Sequence, residues 1–397
     1  MPFWGRFKRR EAPQVKGLGT HSSDSLSDGV GFSLQSFGLA LLQQVSALTL
    51  NQNVFISPLS IFLALAMTEN GAAGETKAAM RRVLALPIDA SEESVNESAA
   101  KLLKSLKSQG EAELAIANAL WVDVRSTVAP DFVRLCQKIY DATAQTLDFS
   151  QPLSATTVND WVSEKTKGKI PDLVTPNGMK GLAAILTNAV YFKGKFCIPF
   201  PKNATQPKTF YLADGHEKMV PMMRIVGLSG SYRSGKKFEA AVLGYKDSGI
   251  ALYMLLPAIG TSPGQILTEE TVREILFARE SCELNLSMPR FTLDFSAALR
   301  KSLTRMGMGI AFQYPGADFS ALGSPLFFLG DVIHKTRLEV VEEGTVAAAA
   351  TAVMMDLESP MLRRVETKTL VFNRPFAILL RDAVTGTMLF VGVVYEP

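Results

Sequence analysis

Three histidines, His21, His216 and His334, are the only imidazoles available as general bases, and none accompanies a recognisable nucleophile. Gly227-Leu228-Ser229-Gly230-Ser231 opens like a nucleophile elbow but lacks its final glycine. Cys136, Cys197 and Cys282 are far apart, odd in number, and match no zinc or redox spacing. They read as buried thiols; one disulfide among them stays open. No phosphate loop or dinucleotide fingerprint occurs. The expectation is therefore no enzyme, no catalytic residue, no metal site and no cofactor. The chemistry offered instead is conformational, and it sits in Glu342–Pro360. Its first part runs Glu342, Glu343, Gly344, Thr345, Val346, Ala347, Ala348, Ala349, Ala350, Thr351. Consecutive alanines favour helix yet enter a sheet without a clash, and Gly344 supplies a hinge. At period two, Thr345, Ala347, Ala349, Thr351, Val353, Met355 and Leu357 share one face, all small or apolar. Asp356 and Glu358 fall on the other. This suits a strand that buries one side.

The elements around this segment follow from periodicity. Gly31–Leu48 reads as an amphipathic helix, and Ser57-Pro58 as a helix start, with serine as cap and proline in the first turn. Thr76–Leu86, Glu92–Gln109 and Asn159–Lys167 are helical patterns. Asn53–Ile56, Ile116–Val122, Ala183–Tyr191, Ala251–Leu256, Glu283–Met288, Phe327–Val332 and Leu370–Leu380 are strand-like. Helices crowd the first half and strands the second, which argues α+β. Residues 1–30 read as a flexible leader and 31–397 as one domain. MPFWGRFKRR at the start has no apolar run after it and so does not read as a secretory signal; its interleaved aromatic and basic residues could touch a membrane surface, but the reading favoured is a disordered tail. No apolar run is long enough for a membrane span. With 41 basic and 38 acidic residues the net charge is +3, too balanced for a nucleic-acid partner.

Several segments resemble the serpin family, in the family's order, from about Gly31 to Pro397. Glu342–Thr345 followed by Ala347–Ala350 resembles the hinge of inhibitory serpins. Asn53–Met67 is similar to the start of the central helix, and Leu186–Lys195 to a central strand. Leu286–Phe291, Phe319-Ser320, Asp331–Lys335 and Phe372–Phe376 match further signatures. The resemblance implies a serpin fold: a large, mostly antiparallel central sheet of five strands, further sheets, about nine helices, and an exposed reactive loop at about 343–366. It also implies a suicide-substrate inhibitor of serine proteases, monomeric, trapping its target as a 1:1 covalent complex. After cleavage, residues 344–357 would insert as a new central strand. Gly344–Glu358 is fifteen residues, about 50 Å as a strand at roughly 3.3 Å per residue.

In the family the cut usually falls fourteen residues after the hinge glycine, which places it at Glu358–Ser359. That suits a Glu-specific or permissive enzyme, and Met354, Met355 and Leu357 would suit elastase-like or subtilisin-like ones. Arg363 and Arg364, attractive to a trypsin-like enzyme, sit too far along. The resemblance also assigns Ser57, Ser60, Asn188 and His334 to a polar cluster that gates the sheet. Phe196 departs from the family's common tryptophan, Val346 from its common glutamate, and Ala377 is smaller than usual. Lys101, Lys104 and Lys107 form a basic stripe, read as a solvated helix face rather than a polysaccharide site. Asn96-Glu97-Ser98 and Asn203-Ala204-Thr205 are sequons. The alternative function is a non-inhibitory serpin, a carrier or chaperone. Proline or charge on the burying face of the hinge would mark it, and Thr345–Met355 has neither. The resemblance favours an extracellular setting; a cytoplasmic one is the alternative.

Overall fold

The computed structural model describes residues 29–107, 112–277, 280–323, 327–345 and 366–397. Among them are ten α-helical segments, several of one turn, and three sheets. An antiparallel sheet holds, in order, Val54–Ile56, Met388–Val394, Phe376–Asp382, Ile250–Pro257, Phe238–Gly244 and Tyr232–Gly235. A four-stranded sheet holds Glu366–Val371, Cys282–Pro289, Glu217–Ser229 and Gln206–Tyr211. Phe376 joins the two, with its ring edge-on to Phe210, Phe291 and Phe372.

The central sheet is ordered Phe291–Ala298, Asp331–Val341, Gly344–Thr345, Ala184–Lys195, Glu113–Asp123, Thr143–Leu147. Its strands show why burial pattern and sequence pattern agree or part. Asp331–Val341 buries Val332, His334, Thr336, Leu338 and Val340 and leaves the alternate residues half exposed. One face meets the core, so alternation survives. Ala184–Lys195 is buried on both faces over its first nine residues, because helix Pro152–Lys165 covers the outside. Val158 of that helix packs with Trp121 and Ile185, and Val162 with Ala117 and Ala189.

Helix Pro58–Glu69 is buried at every position, as a helix apolar all round must be. It packs against Glu113–Asp123, Ala184–Lys195 and Met388–Val394. Its start is as read: Ser57 is the cap, its side chain accepting from Ser60 N–H, with proline in the first turn. The first helix runs Gly29–Ser46, two residues earlier at each end than its periodicity suggests. Two strand expectations differ. Phe327–Gly330 is irregular, although Phe327 and Leu329 are buried; the strand starts at Asp331, where alternation begins. Leu370–Leu380 is two strands, Glu366–Val371 and Phe376–Asp382, separated at Phe372–Pro375. Pro375 has no N–H for a ladder there. Among the described residues no helix is long and apolar enough to cross a membrane.

Candidate functional site: the seam of the central sheet

Two strands remote in the chain meet at a seam. Asp331–Val341 and Ala184–Lys195 run parallel, with Asp331 opposite Ile185 and so on to Arg337 opposite Tyr191. Above Arg337 they part around Gly344–Thr345, which pairs antiparallel to both. Val340 faces Thr345 and Val341 faces Gly344 on one side; Lys195 faces Gly344 and Gly194 faces Thr345 on the other. The expected five-stranded sheet thus carries a two-residue sixth strand, and the hinge begins inside the sheet. The reason is local chemistry. Thr345 is wholly buried, with Oγ1 2.7 Å from the Tyr245 hydroxyl. Burial pushes the Tyr245 phenol well above its usual range. Gly344 has φ +137°, and a Cβ there would lie 2.3 Å from the Gly194 carbonyl oxygen and 2.7 Å from Lys195 Cα. Only glycine fits both the angle and the gap.

The turn below the hinge is tied down by groups the sequence did not connect with it. The Glu342 and Glu343 carbonyls accept from Phe200 N–H at 2.8 Å and Phe196 N–H at 2.9 Å. The Glu342 carboxylate is buried. It accepts from Thr205 Oγ1 at 2.6 Å and pairs with Arg290. Burial pushes this carboxyl up, but the Thr205 hydroxyl and Arg290 guanidinium outweigh it, and the net shift is below the usual range. Glu343 pairs with Lys202. Two successive acids before an apolar hinge were the available signal, since each must find a donor when buried.

The four predicted gating residues come together under the seam, all essentially inaccessible. Ser57 N–H donates to His334 Nε2 at 3.1 Å, so the neutral ring carries its proton on Nδ1, which donates to Asn188 Oδ1. Ser60 Oγ donates to the same Asn188 oxygen at 2.8 Å. Ser57 Oγ donates to the Leu389 carbonyl at 2.7 Å. One member and one buried neighbour were missed. Asn118 accepts from Asn188 Nδ2 and donates to the Ser60 carbonyl at 3.4 Å; Thr336 Oγ1 donates to the Phe55 carbonyl at 2.6 Å. An asparagine inside the apolar run of Glu113–Asp123 was the signal for the first. The register sets His334 directly opposite Asn188 across the seam, so this network bridges the two strands that would have to part.

Burial pulls the His334 imidazole down to about 3. An unfolded histidine titrates near 6.5. Below that pH the unfolded chain binds a proton that the folded chain refuses. Stability from this site is complete above about pH 6.5 and is lost as pH falls towards 3. By pH 5 the loss is about 2 kcal/mol. Comparing unfolding free energies of wild type and His334→Gln from pH 7 to 5 should show the wild type losing this extra amount. Parallel curves would contradict the assignment.

Val346–Thr351, Glu358 and Ser359 lie outside the described residues, as do Arg363 and Arg364. Phe196 is buried and stacks on Tyr245 at 5.2 Å, filling the top of the sheet without an indole. Cys136, Cys197 and Cys282 are free thiols; burial pushes Cys136 up to about 12. Lys101 and Lys104 are exposed, Lys101 paired to Glu97 at 3.7 Å. The Asn96 amide is buried, donating to Asn70 Oδ1 at 2.8 Å and accepting from Tyr140 Oη at 2.5 Å. The folded chain therefore cannot present that sequon, whereas Asn203 is exposed.

A family model described as Serpin (serine protease inhibitor) matches residues 33–397. An uncharacterized serpin-like protein of Thermococcus kodakarensis is 33% identical over 392 residues, 96% of this chain and 89% of its own length. Antithrombin-III of Mus musculus is 33% identical over 362 residues, 87% of this chain and 77% of its own. The crystal structure of tengpin, a thermophilic serpin in the native state, superposes with a TM-score of 0.82 at 26% identity, covering 95% of each chain.

Proposed function

The chain belongs to the serpin family, and on that footing we propose that it inhibits serine endopeptidases as a suicide substrate. A protease attacks at or near Glu358–Ser359 and forms an acyl-enzyme. The freed hinge then runs down the seam between Asp331–Val341 and Ala184–Lys195 and drags the tethered enzyme out of shape before it can deacylate. Loop insertion in serpins is itself an established case of strand addition driven by stored strain.

One observation carries this reading: the hinge already sits between the two parallel strands, antiparallel to both. Continuing that register sets Ala347 between Phe192 and Leu338, Ala349 between Val190 and Thr336, and Thr351 between Asn188 and His334. Leu338, Thr336 and His334 are the inward residues of their strand. Paired residues of neighbouring strands point to the same face. The odd-numbered hinge residues, all small and uncharged, are thereby the ones to be buried, and Thr351 brings a hydroxyl to the buried amide and imidazole.

The test is a panel of elastase, subtilisin, trypsin and a Glu-specific protease. At least one of the non-tryptic enzymes should yield an equimolar adduct that survives boiling in detergent, with the cut at Glu358–Ser359 by mass spectrometry. Turnover of the chain by all four without any adduct would overturn the proposal.

A further inference from the structure

A cavity of about 110 Å³ lies beside Phe196 and Cys197, just past the end of the Ala184–Lys195 strand. Phe196, Val242, Leu243, Ile250 and Ala251 give it a mainly apolar lining, with Arg233 and three serines as its polar members. Ile198, also in the wall, is 56% exposed, so the cavity opens to solvent on one side. An apolar cavity of roughly 150 Å³ stays dry and takes up benzene; this one, open at one side, has room for a single six-membered ring.

The walls belong to two bodies. Phe196 and Cys197 continue the Ala184–Lys195 strand of the central sheet, whereas Val242–Leu243 and Ile250–Ala251 belong to a hairpin of the antiparallel sheet. The bodies are joined by Cys197 N–H donating to the Gly244 carbonyl at 2.9 Å. They are joined again by Phe196 stacked on Tyr245. From there the contact runs on to the hinge: Tyr245 meets Thr345 through its hydroxyl, and Phe196 N–H holds the Glu343 carbonyl. Opening the central sheet by displacing the Ala184–Lys195 strand would shift the tail of that strand against the hairpin.

We propose that this cavity binds a small apolar aromatic molecule, and that the occupant, by bridging the two bodies, restrains insertion of the hinge. The second half rests on the function proposed above; the first does not. An occupant can act only through its preference for the closed arrangement, which a ligand wedged between two separating walls has.

Benzene titrated into the intact full-length protein should move the methyl resonances of Val242, Leu243 and Ile250 along saturable curves, with a Kd on the order of 1 mM. Val242→Phe fills the cavity and should abolish the effect; if that variant does not fold, Ala383→Leu fills it from another wall. Shifts that never saturate, or that persist in a filled variant, overturn the site. With the site saturated, covalent trapping of the protease should slow by about fivefold, the low end of coupling between two sites. An unchanged rate overturns the restraint. The methyl titration involves no protease, so a chain that traps nothing fails the proposed function while the cavity is still decided.

Discussion

Cut at Glu358–Ser359, the chain should melt at least about 10 °C above the intact protein, the reverse of what a nick does to an ordinary domain. The magnitude follows from the seam. In the intact chain only Asp331–Arg337 and Ile185–Tyr191 close on each other, as a parallel pair. Inserting some ten residues beyond Thr345 replaces that single ladder by two antiparallel ones. At about 1 kcal/mol net per added hydrogen bond the gain is on the order of ten kcal/mol. Unfolding entropy is about 2.1 cal/mol/K per residue, so a domain of this length gains about 1 °C for each kcal/mol. The intact form must then be held by a barrier rather than by equilibrium. Calorimetry of intact and nicked protein decides it. Equal midpoints would remove the driving force on which the proposed inhibition depends.

Thr345→Arg should cut the yield of covalent adduct about tenfold or more and leave a chain that is mainly digested. Thr345 is wholly buried beside Tyr245, and Tyr245 is packed against Phe192 and Phe196. A guanidinium placed there would be an unpaired buried charge costing several kcal/mol, so the intact variant should withdraw residues 344–345 from the sheet, and the cost then falls on insertion. In the proposed mechanism insertion and deacylation compete, and each 1.4 kcal/mol added to the insertion barrier shifts that competition about tenfold. The number of inhibitor molecules consumed per enzyme should therefore rise from near one to roughly ten or more. Ala349→Pro should do the same from deeper in the hinge. A proline has no N–H for a ladder and is not tolerated in a central strand. The readout is adduct on a denaturing gel against intact and cleaved chain. Adduct persisting undiminished in both variants would show that trapping does not need the hinge to enter the sheet.

Much of this was legible in the chain itself. The proposed hinge was named from such a pattern, since a strand to be buried on demand has to carry small, uncharged residues at every second position, and that is a local property; of that segment the structure describes only Glu342–Thr345. The cap at Ser57 and the proline behind it were readable for the same reason, as were the alternation of Asp331–Val341 and the α+β order of elements. The boundaries that went astray lie where local pattern and packing disagree. Phe327–Gly330 is apolar yet irregular, and the run through Phe372–Pro375 is interrupted by a residue that cannot pair.

What the chain could not say by pattern alone is which remote residues meet. His334 and Asn188 stand 146 positions apart, and only the parallel register across the seam sets them opposite each other. Arg290 and Thr205 became the partners of Glu342, and Asn118 joined the buried network, through contacts no spacing encodes. The early burial of Gly344 and Thr345, the masking of Asn96 and the cavity behind Phe196 are likewise products of packing. Caps and periodicities depend on neighbours within a few residues. Register, buried polar partners and voids depend on how whole layers settle against one another, and that was decided only when the sheets closed over the helix Pro58–Glu69.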